Sequence, residues 1–115
     1  MKHLIFLFSV LLMTQASASD NLLQDNEGML KAKAKELTKK YAVELGLEAN
    51  QTAQFEEIIL GYLVKKTKAQ QLNVSEVDKL GIIGQLGEQE NEDMADLLSK
   101  GQYKKYVKAK MKLQP

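Results

Sequence analysis

A five-residue pattern occurs twice in the chain, and its polar side chains are spaced so that they could form hydrogen bonds at the start of a helix. The segment Leu47–Gln51 and the segment Leu98–Gln102 each begin with leucine and end with glutamine. In the second copy, Ser99 can accept a hydrogen bond from the Gln102 amide, while the Gln102 side chain returns to the Ser99 amide as a capping box. The pattern therefore predicts helix starts. It gives a structural role, not substrate contact, to Leu47, Gln51, Leu98, Ser99 and Gln102.

Side chains that could form a catalytic nucleophile and its base are scarce. His3 is the only histidine, and the chain has no cysteine. The serines that follow it lie at predicted helix caps or in polar turns, without a recognisable base beside them. Neighbouring carboxylates such as Glu56 and Glu57 point about 100° apart on a helix and do not share a proton. We therefore expect no enzymatic activity.

Three carboxylates offer hard oxygen ligands at helical spacing. Glu88, Glu92 and Asp96 recur every four residues, so one helix face would carry all three and could attract a cation such as Ca²⁺. Nothing in the sequence encloses them, and a solvated helix face is the simpler interpretation. The sequence therefore predicts no bound metal and no cofactor.

The first eighteen residues show the pattern of a cleaved signal peptide. Lys2 supplies a positive start, Leu4–Met13 is apolar except for one serine, and Ala16 and Ala18 supply the small residues that a signal peptidase selects. We therefore predict that the mature chain begins at Ser19.

The remaining residues, 19–115, are enough for a single domain with a thin core. The apolar run of the leader is shorter than the roughly 20 residues that span a bilayer, and no later segment is more apolar, so we expect no membrane anchor. A chain without cysteine has no disulfide and no thiol to lipidate at the cleavage site, which is ordinary for a bacterial envelope protein. The expected location is the periplasm.

Charge is balanced overall but sorted along the chain. Removing Lys2 from the 16 basic residues leaves 15, against 15 acidic residues, so we expect no bulk attraction to nucleic acid. An acidic block is followed by a basic one: Glu88, Glu90, Glu92, Asp93 and Asp96, then Lys100, Lys104, Lys105, Lys108, Lys110 and Lys112. Such runs are most often solvated helix faces.

Helical spacing of apolar residues dominates the mature chain, and no segment alternates as a half-buried strand does. The predicted helices run from about Leu22 to Leu45, from Glu48 or Asn50 to about Leu72, from a Ser75 cap to about Leu97, and from about Lys100 to Leu113. The predicted inward positions are Leu30, Ala34, Leu37, Tyr41 and Leu45; Phe55, Ile58, Ile59, Tyr62 and Leu63; Val77, Leu80, Ile83, Leu86 or Gly87, Met94 and Leu97; and Tyr106 and Val107, which share a face with Tyr103 and Lys110.

Three glycines interrupt the third predicted helix at three-residue intervals. Gly81, Gly84 and Gly87 together cost about 2 to 3 kcal/mol of helix propensity. A phosphate-binding loop is disfavoured because no strand precedes them and the rest of a Walker motif is absent. Two interpretations stay open: a smooth strip for close packing of another helix, or a hinge. We favour a bend near Gly84 to Gly87.

The two copies of the pattern, 51 residues apart in a short helical chain with a leader and no cysteine, resemble the bacterial periplasmic LTxxQ-motif family, the Spy/CpxP-like proteins. In the second copy, Ser99 replaces threonine and keeps the capping hydroxyl. In the first copy Glu48 lacks that hydroxyl, so Asn50 is an alternative cap one turn later.

The resemblance implies an all-α, hairpin-like fold of about four amphipathic helices, which in this family is often an antiparallel homodimer. It also implies a stress-response chaperone that binds unfolded or partner proteins without ATP. Some relatives bind metals through histidines, which this chain lacks after the leader, so no metal function is carried over.

The candidate protein-binding residues are Tyr103, Lys104, Lys105 and Lys108 on the last predicted helix. Lysines there would attract flexible segments at long range, and the tyrosine would add apolar contact. The alternative is a small structural or regulatory envelope protein that binds one defined partner, the family fold having been reused.

Overall fold

A computed structural model describes the backbone of residues 17–114 and the side chains of residues 27–114. Four helices follow one another: α1 (Ser17–Leu45), α2 (Ala49–Gln70), α3 (Glu76–Leu97) and α4 (Lys100–Leu113). Residues 17–114 contain no strand, and the predicted all-α fold class is confirmed. Residues 1–16, most of the predicted signal peptide, lie outside the described part of the chain.

Helix α1 begins five residues earlier than predicted, at Ser17 rather than near Leu22. No glycine or proline interrupts residues 17–27, so nothing stops the helix from extending upstream. At its other end, Gly46 adopts φ +66°. Its amide and that of Leu47 both donate to the Ala42 carbonyl, at 2.9 and 3.2 Å, which is the predicted glycine termination of a helix.

The helices enclose one small core centred on aromatic rings. The centroid of Tyr41 lies 5.0 Å from that of Phe55 and 5.5 Å from that of Tyr106. Helix α2 packs against both α1 and α3, and α4 packs mainly against α1. The predicted inward faces of the first two helices are buried, except that Leu30 and Ile58 are half-buried: Ala34, Leu37, Tyr41 and Leu45 on α1, and Phe55, Ile59, Tyr62 and Leu63 on α2.

The predicted inward face of the third helix is wrong at its start, whereas its later positions Ile83, Leu86, Gly87 and Leu97 are half-buried. Val77 is 77% exposed and Leu80 is 70% exposed, whereas Met94 is fully buried. Helix α3 packs mainly against α2 and only sparsely against α4. Among the described residues, no helix therefore covers Val77 and Leu80 on the face of α3 that turns away from α2.

Val107 on α4 is also not a core residue, because it is 41% exposed. Tyr106 and Ala109 take the inward direction of this helix, and the 100° step to Val107 turns its side chain towards α3. Tyr106 is fully buried, as predicted.

Helix α3 continues without interruption through its three glycines, so the expected hinge is not a break in the helix. A close-packing strip is not seen either. A methyl group at Gly81, Gly84 or Gly87 would meet no heavy atom within 4 Å. This face of α3 is open space in the described chain.

Candidate functional site

The two motif glutamines bind each other where the helix starts meet. The Gln51 Nε2 donates to Gln102 Oε1 at 2.9 Å, and the Gln102 Nε2 donates to Gln51 Oε1 at 3.0 Å. Each Nε2 also reaches the carbonyl that precedes the other motif copy: Gly46 at 3.3 Å from Gln102, and Leu97 at 3.4 Å from Gln51. We call this pair the glutamine clasp. It joins the two copies of the five-residue pattern, and each glutamine makes the same two contacts with the other copy.

Each glutamine also caps its own helix. Gln102 Oε1 accepts from the Ser99 amide at 3.0 Å, and Ser99 Oγ accepts from the Gln102 amide at 3.2 Å. The predicted capping box of α4 is therefore confirmed.

The first copy starts its helix without a hydroxyl. Helix α2 begins at Ala49 with Glu48 as its N-cap, so of the two starts left open the earlier one is correct. Gln51 Oε1 accepts from the Glu48 amide at 3.0 Å. The Glu48 side chain faces the Gln51 amide in a capping box, and Asn50 Oδ1 accepts from the same amide at 2.9 Å.

A buried ion cluster on α3 was not predicted from the sequence. Glu90 is 1% exposed, and its Oε1 lies 3.1 Å from the ammonium groups of both Lys66 and Lys110. Lys110 also donates to Asn91 Oδ1 at 2.8 Å. Two lysines from different helices compensate the charge of one buried carboxylate. Removal of Glu90 or of either lysine should therefore lower the free energy of unfolding. Glu90 stands in the acidic block, where nothing distinguishes it from solvated neighbours.

The buried tyrosines lie in the field of this carboxylate. Burial, with the charge of Glu90 as the second cause, raises the pKa of both Tyr41 and Tyr106 above the usual tyrosine value. The Tyr41 hydroxyl donates to Gln114 Oε1 at 2.6 Å. The Tyr106 hydroxyl and Glu90 Oε2 are buried without a hydrogen-bond partner among the described residues.

The predicted protein-binding residues lie together on the outer part of α4. The side chains of Lys104, Lys105 and Lys108 are exposed. Tyr103 is half-buried, with its ring 5.9 Å from that of Tyr106. A shallow pocket of about 270 Å³ beside it is lined by Ala95, Leu98, Ser99, Lys100, Tyr103 and Lys104. A cationic edge and an aromatic ring therefore border the same pocket.

The other end of α4 borders a larger opening, which we call the α3/α4 groove. Its volume is about 630 Å³, and it is lined by Gly84, Gly87, Glu88, Asn91, Val107, Lys110, Met111 and Gln114. Met111 is 75% exposed. Val77 and Leu80 stand on the same face of α3 as Gly84, seven and four residues before it, but they lie outside the lining of the groove. The periodicity of the sequence predicts that Val77 and Leu80 share a helix face. It does not predict whether another helix packs on that face.

The described residues contain no group of three or more potential ligand side chains placed to hold a metal ion. In particular, Glu88, Glu92 and Asp96 do not form such a group. No helix within residues 17–114 is long and apolar enough to cross a membrane.

Comparison of the chain with protein-family models, with curated proteins and with solved structures finds no match. The resemblance to the LTxxQ-motif family rests on the motif residues themselves.

Proposed function

We propose that the chain is a periplasmic, ATP-independent chaperone or envelope-stress binding protein that holds unfolded or partner proteins on its helical faces. The observation that carries this proposal is the open side of α4. Exposed Lys104 and Lys108 stand there beside the uncovered apolar side chains of Val107 and Met111.

The two kinds of side chain would act in succession. The lysine charges attract acidic, flexible segments at long range and align them along α4. Apolar contact with Val107, Met111 and the Tyr103 ring then holds the segment, while the lysine stems add further apolar area. Because the surface is shallow and solvated, it suits weak and repeated capture more than tight binding to one shape.

Export is the second part of the proposal. Cleavage after Ala18 would release a chain that starts at Ser19. The intact mass of the protein recovered from the bacterial envelope checks this prediction. A mass that retains Met1 would contradict it.

Light scattering of aggregating clients tests the proposed activity. Several unrelated proteins are reduced or heated with and without a severalfold molar excess of the mature chain. Suppression of aggregation across unrelated clients supports the chaperone. A complete lack of suppression would contradict it.

One observation favours a regulatory protein with a single defined partner. The α3/α4 groove is lined mostly by apolar surface together with a few polar side chains, as sites for one ligand commonly are. Capture of the same single protein from envelope extracts, together with no effect on aggregating clients, would favour this alternative.

A further inference from the structure

One lysine makes the polar contacts between α3 and α4. Among the described residues, every hydrogen bond and ion pair that joins these two helices involves Lys110. Its ammonium group lies 2.8 Å from Asn91 Oδ1 and 3.1 Å from Glu90 Oε1. Lys110 and Asn91 both line the α3/α4 groove. The side chain of Lys110 therefore bridges the two helices that form this groove.

The carboxylate that binds Lys110 is also held from a third helix. Glu90 is 1% exposed, and the ammonium group of Lys66 on α2 lies 3.1 Å from the same Oε1 atom. A buried carboxylate keeps its counter-charges, because an unpaired charge away from water is costly. The ammonium group of Lys110 is therefore fixed in place, and the lysine stem sets how far α4 lies from α3.

The two walls of the groove are suited to pack against each other. Val107 and Met111 on α4 are 41% and 75% exposed, and Gly84 and Gly87 lie on the α3 side. A methyl group at either glycine would meet no heavy atom within 4 Å, so no described side chain packs there. Glycine allows another helix to approach closely, and closing the groove would remove apolar area from water. Apolar burial therefore favours a closed groove.

Stability alone is a poor explanation for the buried ion cluster of Lys66, Glu90 and Lys110. Removing one partner of such a cluster is destabilising, but replacing the whole cluster by apolar side chains of similar volume is often neutral or stabilising. The geometry that the cluster imposes on α3 and α4 is a better explanation.

We infer that Lys110, held by Glu90, is a positioning residue that keeps the α3/α4 groove open. Its side chain sets the separation of the two helices against the apolar burial that would close them. Val107 and Met111 stay uncovered as a result. These are the apolar side chains that capture of clients would use, so the consequence for capture rests on the proposed function, whereas the geometry does not.

Distances between spin labels across the groove test this inference. The chain has no cysteine, so Glu88→Cys on α3 and Lys108→Cys on α4 give two unique labelling sites, and both residues are exposed. The apolar variant adds Lys66→Met, Glu90→Met and Lys110→Met to this labelled parent. We expect a shorter mean distance than in the parent, because no buried charge then opposes closing. An unchanged or longer distance would overturn the inference.

A milder variant keeps the test decisive if the apolar variant does not fold. Lys110→Met leaves Glu90 paired with Lys66, so the carboxylate stays compensated while the bridge to α4 is lost. The label distance should again shorten. The matched control is Lys112→Met with Glu44→Met, which removes an ion pair between α4 and α1 and should leave the distance unchanged. If the control shortens it equally, the change does not come from the buried ion cluster, and the inference is wrong.

The aggregation assay measures the consequence for capture. Without spin labels, the apolar variant keeps Tyr103, Lys104, Lys105 and Lys108, yet it should suppress less aggregation than the parent while its urea midpoint stays at or above that of the parent. A merely structural cluster would instead give a lower midpoint and an unchanged label distance. The distance measurements contain no client, so a parent that suppresses no aggregation would contradict the proposed function alone.

Discussion

Ser99 and Gln102 make two distinguishable sets of hydrogen bonds at the start of α4. One set caps the helix through Ser99 Oγ and Gln102 Oε1. The other uses the Gln102 Nε2 to reach Gln51 and the Gly46 carbonyl. The same five-residue pattern thus fixes a helix start and ties it to the start of α2.

Substitutions can separate these two contributions. Ser99→Ala removes the acceptor of the Gln102 amide and should lower the free energy of unfolding by about 1 kcal/mol, with Ser99→Gly costing less. Gln102→Glu keeps an oxygen for the Ser99 amide but loses both Nε2 bonds, so at neutral pH it should cost about 1–3 kcal/mol. Urea titration measures both. If Ser99→Ala leaves the free energy of unfolding unchanged, α4 does not begin at Lys100. If Gln102→Glu leaves it unchanged, the glutamine clasp does not stabilise the fold.

Tyr106 is a fully buried side chain that carries a polar hydroxyl group. Because that hydroxyl has no partner among the described residues, Tyr106→Phe should raise the free energy of unfolding by about 1 kcal/mol near neutral pH. The same substitution should weaken the alkaline loss of stability. The native state keeps the Tyr106 proton above the usual pKa of 10.0, whereas the unfolded chain releases it there.

The unfolded chain therefore binds fewer protons above that pH, and the free energy of unfolding must fall as the pH rises further. Denaturant titrations of the parent and Tyr106→Phe through the alkaline range measure the difference. Parallel pH profiles for the two proteins would contradict the assignment.

At the scale of the elements, the helix ends that carry a serine cap or a terminating glycine were the most predictable features. The caps at Ser75 and Ser99 and the glycine end at Gly46 follow from local chemistry, since each depends on a few neighbouring residues. The uncovered face of α3 could not be predicted. Periodicity shows that Val77 and Leu80 share a face, but only the arrangement of α4 decides whether that face is covered.

In the candidate site, a side chain was predictable from the sequence only where its surroundings depend on its own helix. Glu90 is buried because lysines from two other helices converge on it, and such long-range pairing leaves no local signal. The exposure of Lys104, Lys105 and Lys108 was predictable, because charged side chains take the outer face of an amphipathic helix.

The glycines of α3 provide a prediction at this scale. Gly84→Ala should raise the free energy of unfolding by about 1 kcal/mol, because the new methyl group meets no neighbour and alanine favours the helix. Gly46→Ala is the opposite control. Its φ of +66° is strained for alanine, so it should lower stability by about 1 kcal/mol. A Gly84→Ala protein less stable than the parent in urea titration would indicate that α3 bends there.

For the whole molecule, the four helices leave the outer part of α4 and the α3/α4 groove open while burying a single aromatic core. The proposed capture of clients uses that open side. Charge reversal there should leave the fold intact, because Lys104, Lys105 and Lys108 are exposed and the core residues of α4 are Tyr106 and Ala109.

The most direct measurement compares two triple variants in the aggregation assay. One carries Lys104→Glu, Lys105→Glu and Lys108→Glu, and the control carries the same charge change on exposed α1 residues as Lys33→Glu, Lys35→Glu and Lys39→Glu. Light scattering of several unrelated clients is recorded at low and high salt, with folding of both variants verified by circular dichroism. We expect that only the α4 variant loses suppression, most clearly at low salt, where surface charges act over longer distances. Equal suppression by the parent and the α4 variant at low salt would contradict the account.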